Sequence, residues 1–196
     1  MSIETGNEIT VKLRCTTKEL EDLLLSKGYK KTKHFTIDDF YYIPKTLNLG
    51  ATPTRQILSK AILVRDVVNY TDNRNDKKMT YKIKEINDKG EIISQKSYNC
   101  DVIDVDSAKH FLEAIGYNFL MEIKEDDSEL VGPDGFQIAT KNITNGDDLI
   151  EIETNDIFDT IEKIIDRLEH EDVPYNNDNY FVKKAEIELE KILGKE

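Results

Sequence analysis

Glu8, Thr10, Lys12 and Arg14 recur at every second position near the start of the chain, and Glu151 and Glu153 do the same far along it. Side chains of a strand alternate between its faces, so each set shares one side. Ile9, Val11, Leu13 and Cys15 take the other side of the first segment, and Ile150 and Ile152 that of the second. A single half-buried strand would turn such a polar face to water. Two distant strands that each carry paired charges point instead to a common polar interior. Lysines and arginines neutralise phosphate oxygens, and carboxylates hold hard cations such as Mg²⁺ or Mn²⁺. The chemistry suited to such an interior is that of a polyanion with a divalent cation.

The elements that would position these residues can be read in order. Thr16-Thr17-Lys18-Glu19 predicts a capping box, followed by Leu20, Leu23 and Leu24 at helical spacing and Gly28 as a stop. Strands are expected over 31–43, 58–68, 78–85, 91–104, 117–126, 136–141 and 149–154, with a loop over 44–56. Asn87-Asp88-Lys89-Gly90, Gly132-Pro133-Asp134-Gly135 and Asn145-Gly146 are turn signals between them. Asp106 is the expected cap of a short helix that ends at Gly116. Ile157, Ile161, Ile164, Ile165 and Leu168 predict an amphipathic helix, with a last helix after Pro174.

Several of these segments resemble the CYTH proteins, the triphosphate tunnel enzymes. Glu8-x-Thr10-x-Lys12 resembles their E-x-E-x-K opening strand, and Asp38-Asp39-Phe40-Tyr41-Tyr42 their D-x-Y-Y/F strand. Ile62-Leu63-Val64-Arg65 is similar to L-R-I-R, Thr80-Tyr81-Lys82 to L-T-Y-K, and Lys124-x-Asp126 to K-x-R. Tyr180 stands where the family commonly has a serine-tyrosine pair. Thr10, Leu63 and Asp126 depart from the pattern, replacing a glutamate and two arginines. On the fifth strand Lys96 is kept, with Tyr98 and Cys100 at the expected glutamate positions.

The resemblance implies an α+β fold: a single closed eight-stranded antiparallel β-tunnel with flanking helices, spanning 1–196 as one domain. It implies Glu8, Lys12 and Lys82 as catalytic residues. Lys12, Arg14, Arg65, Lys82, Lys84 and Lys124 would bind substrate phosphates, and Glu8, Glu151 and Glu153 would hold Mg²⁺ or Mn²⁺. The implied substrate is ATP, thiamine triphosphate or inorganic triphosphate, either hydrolysed or, for ATP, cyclised. The alternative is a catalytically weak or inactive relative that binds polyphosphate, a nucleotide or a protein in the same tunnel.

Composition narrows the class. A length of 196 residues suits one domain. With 38% apolar and 34% charged residues, the composition is that of a soluble globular protein. A net charge of −12 argues against a general nucleic-acid binder, which needs a basic footprint, but leaves a small anion in a locally cationic cleft open. No apolar run approaches the roughly 20 residues of a membrane span, and no signal peptide is legible. Cys15 and Cys100 are too few for a disulfide framework, so a cytoplasmic monomer or homodimer is expected. Asp72-Asn73-Arg74-Asn75-Asp76 lacks the glycine and glutamate of a calcium loop and predicts a polar turn. His34, His110 and His170 have no ligand spacing, and no Walker A loop or dinucleotide fingerprint is present.

Overall fold

The alternation of the N-terminal segment is resolved in the computed structural model as two strands, β1 (Ser2–Thr5) and β2 (Glu8–Lys12). The structure describes residues 2–5, 8–86, 92–153, 159–176 and 184–194, with the side chains of 2–5, 8, 84–86 and 92–95 outside the described set. Next come α1 (Thr17–Ser26), β3 (Lys30–Pro44), α2 (Thr54–Leu58), β4 (Ile62–Asn69), β5 (Arg74–Ile86) and β6 (Ile92–Asp101). The rest are α3 (Val105–Ala114), β7 (Tyr117–Val131), β8 (Gln137–Ile143), β9 (Asp148–Glu153), α4 (Ile161–His170) and α5 (Lys184–Leu193).

The strands form one antiparallel sheet in the order β1-β6-β5-β4-β3-β7-β8-β9-β2. The closed eight-stranded tunnel is corrected on two counts. Nine strands are described, and among the described residues no ladder joins β1 to β2, so the described sheet has two edges. Those edges are nevertheless consecutive in the chain. Three Cα–Cα steps separate Thr5 from Glu8, so their Cα atoms lie within about 11 Å of each other. That tether forces the sheet into a sharply curled trough.

Which face is inside follows from burial. Helices α1 and α4 cover the outer face of β2, β9, β8 and β7, where Leu20, Leu24, Ile164 and Leu168 meet Val11, Ile150, Ile152 and Ile138. Helix α3 covers Tyr42 and Val64 farther round the same face through Val105, Ala108 and Leu112. The other face carries Thr10, Asp39, Glu125, Asp127 and Lys141, all nearly inaccessible to solvent. This is the concave face. One end of it is filled by α5, whose Ala185 and Leu189 pack on Tyr41, Leu63, Ile123 and Leu149, with Ile57 of α2 beside them.

Local signals place the helices. Thr16 caps α1 in a full capping box with Glu19, and Gly28 follows its end at φ +90°, a conformation a Cβ would strain. Helix α3 is capped by Asp104, two residues before the expected Asp106, through a 2.7 Å bond accepted from the Ser107 N–H. Thr160 caps α4. Helix α2 spans the end of the segment expected to be a loop and the first residue of the expected strand 58–68, with Ile57 fully buried as its anchor. The turn at 87–90, Ile157 and Tyr180 lie outside the described residues.

Candidate functional site

Residues opposite each other on neighbouring antiparallel strands point the same way. Register therefore sorts the concave face directly. The backbone of Glu8 pairs with Glu153 and that of Thr10 with Glu151, so Thr10 and Glu151 share the inside, as the alternation implied for them. Lys12 lies on the same face, yet it is half exposed at the rim, with its ammonium 2.7 Å from Asp147. Arg14 lies beyond the end of β2 and is exposed, its N–H donating to the Pro174 carbonyl, so it does not join the ladder.

On the opposite wall, β5 turns Lys78, Thr80 and Lys82 inward, facing Asp101, Asn99 and Ser97 of β6. Lys82 is half-buried, and the side chain of Lys84 is outside the described set. Lys78 is half-buried directly opposite Arg65 and has no ion-pair partner among the described residues. It shares the parity of Thr80 and Lys82, which was the signal that could have found it.

Lys124 is corrected. It lies on the convex face, where its ammonium reaches Asp38 at 3.3 Å and Glu122 at 3.2 Å. The inward residues of β7 are Ile123, Glu125 and Asp127, one step out of phase with the expectation. On β6, Ser97 and Asn99 face inward, which puts Lys96, Tyr98 and Cys100 on the other face.

Behind the rim lies a network of buried charge. Arg65 is bidentate on Asp39, at 2.5 Å through Nε and 2.6 Å through Nη2. From α5, Lys184 donates to Asp39 at 3.1 Å and to Glu125. From β8, Lys141 donates to Asp127 at 3.1 Å and stands 3.6 Å from Glu125 and 3.8 Å from Glu151. Three cations thus face the buried acids Asp39, Glu125 and Asp127, with Glu151 at the edge. Burial alone would raise these carboxyls, but Arg65 and Lys184 hold Asp39 well below the usual range, and Lys184 and Lys141 lower Glu125. Burial prevails at Asp127, raised to about 7 against the pull of Lys141, with the Glu125 charge adding to the rise. Uncharged residues complete the wall: Thr80 donates to Asn99 at 2.8 Å, whereas the Thr10 hydroxyl is buried without a hydrogen-bond partner among the described residues.

The ligand set implied for a divalent metal is incomplete among the described residues. Glu151 and Glu153 share a face, but Glu151 directs Oε2 toward Lys141 and Glu153 is exposed, and the Glu8 side chain is outside the described set. No group of three His, Cys, Asp or Glu side chains among the described residues is placed to hold a metal. No described helix is long and apolar enough to cross a membrane.

No protein-family model and no curated protein sequence matches the chain. Solved structures do. The PH1819 protein of Pyrococcus horikoshii superposes with a TM-score of 0.65 at 17% identity, over 98% of this chain and 100% of that one. A candidate adenylate cyclase from Vibrio parahaemolyticus gives 0.56 at 12% identity, covering 90% and 95%. A candidate adenylyl cyclase from Hippeastrum, described as having a dominant triphosphatase activity, gives 0.55 at 12%, covering 94% and 93%. The chain shares their fold.

Proposed function

We propose that the protein is a CYTH-like enzyme that binds a triphosphate in the concave trough and acts on it by hydrolysis or, for ATP, cyclisation. The observation that carries this reading is the cationic wall of β5. Lys78 and Lys82 face inward from one strand with Arg65 beside them, and Lys78 is unpaired among the described residues. Positions i and i+4 of a strand lie about 13 Å apart, so such a line can track successive phosphates. Cations aimed at the bridging and leaving oxygens would stabilise the charge that develops there during phosphoryl transfer. The fold shared with a triphosphatase and a candidate adenylate cyclase supports the substrate class. Mg²⁺ or Mn²⁺ enters this reading only as the counter-ion that a triphosphate carries with it.

The test combines thermal shift with release of phosphate, pyrophosphate and cyclic AMP. ATP, thiamine triphosphate and inorganic triphosphate are each assayed with Mg²⁺, Mn²⁺ or chelator. Triphosphate should stabilise more than pyrophosphate, and pyrophosphate more than phosphate. Lys78→Ala should weaken triphosphate binding about tenfold, the worth of one charge-assisted hydrogen bond. Equal shifts from all three anions, with no product, would overturn the proposal. A second reading, a binding module without turnover, is favoured by one observation: Arg65, Lys141 and Lys184 are each already matched by a carboxylate. Ranked binding with no release would select it.

A further inference from the structure

The trough contains a cage of three carboxylates, contributed by Glu125 and Asp127 of β7 and Glu151 of β9. What sits in it is the ammonium of Lys141, from β8 between them. It donates a hydrogen bond to Asp127 at 3.1 Å and stands in ion-pair range of Glu125 at 3.6 Å and Glu151 at 3.8 Å. Those separations exceed the roughly 2.0–2.6 Å that Mg²⁺ or Ca²⁺ requires of its oxygens. They are the distances of an ammonium held electrostatically in the place a metal would take. Two further facts mark the cage as a cation site. Asp127 and Glu125 each keep one buried oxygen without a hydrogen-bond partner among the described residues, although both side chains are wholly inaccessible. Glu151, which the sequence places among the metal ligands, turns toward the lysine.

We infer that Lys141 is the resident cation of the trough: its ammonium takes the place of a divalent metal among Glu125, Asp127 and Glu151, and its removal turns the cage into a divalent-cation site. Lys141 is anchored in the middle of a sheet strand, between β7 and β9, so it cannot leave on ligand binding as a loop or terminal residue could. The cage therefore stays closed to metal whatever polyanion occupies the rim, and the inference does not depend on the identity of that polyanion. Lys184 of α5 holds the other oxygen of Glu125, so the carboxylates of the cage are already matched by ammonium groups and not by a metal.

Titration of the full chain with Mn²⁺ tests the inference, with free Mn²⁺ read by electron paramagnetic resonance and stability by thermal melting. The wild type should show no micromolar site that Glu125→Gln removes; a site that Glu153→Gln removes would belong to the rim. Lys141→Met keeps the length of the side chain and deletes its charge. It should melt lower than the wild type without metal, gain a saturable Mn²⁺ site and recover melting temperature as that site fills. Adding Glu125→Gln to it should abolish the site. A wild-type Mn²⁺ site lost with Glu125→Gln overturns the inference, as does a folded Lys141→Met protein that gains none. If Lys141→Met folds only in the presence of Mn²⁺, the inference stands. If it folds under neither condition, the wild-type and Glu125→Gln titrations decide.

Discussion

Asp127 shows most directly how the trough trades charge for burial. Its carboxyl is raised to about 7 by burial and by Glu125, against an ordinary value of about 3.9 in the unfolded chain. Between about pH 4 and pH 7 the folded chain therefore binds a proton that the unfolded chain releases. The unfolded state binds fewer protons, so stability falls as pH rises through that window, by up to about 1.4 kcal/mol per unit. Asp39 and Glu125 behave oppositely. Their depressed values supply stability that is present above about pH 4 and lost as pH falls below it. Asp127→Asn fixes the neutral form, so urea denaturation at a series of pH values should give a flatter profile between 4 and 7 and a more stable protein at pH 8. An unchanged slope would show that Asp127 is ionised throughout.

At the scale of elements, what the sequence disclosed depended on whether a strand was polar on one face or on both. β2 and β9 alternate cleanly, and the face shared by Thr10, Lys12 and Glu151 was legible, although Arg14 falls beyond the end of β2. β7 carries charge at Glu122, Lys124, Glu125, Asp126 and Asp127, so period-two reading has no contrast from which to choose a face. The family motif then drew Lys124 inward and gave Glu125 and Asp127 no role. Lys184 was illegible for another reason: its role depends on where α5 docks, which no local pattern encodes. The two lysines should separate sharply in denaturation. Lys124→Ala removes an exposed pair and should cost under about 1 kcal/mol. Lys184→Met strips a partner from Asp39 and Glu125, both wholly buried, and should cost about 3–5 kcal/mol. Similar losses for the two would place Lys184 in solvent and α5 away from the trough.

For the whole molecule, the decisive feature is that the two edges of one sheet are joined by the chain and not by a ladder. Edge strands expose unpaired N–H and C=O groups, and a closed barrel removes them. Here β1 covers β6 through the pairs Ser2↔Asn99 to Thr5↔Lys96, while β2 covers β9 through Glu8↔Glu153 to Lys12↔Leu149. The two contacts are independent, so they should fail independently. Deleting residues 1–7 removes β1 and leaves β2 on β9, where Ile9 and Val11 remain anchored under α1 and α4. Hydrogen exchange in this variant should lose protection first in β6 and next in β5, with β8 and β9 unchanged, because opening follows local contact. The bared edge of β6 should also make the variant associate at high concentration through strand pairing. With the β6–β5 wall loosened, Lys78 and Lys82 lose their fixed spacing, so triphosphate should stabilise the variant less than it does the full chain. Uniform loss of protection across all strands would instead show the sheet to be one cooperative ring whose two edges cannot open separately.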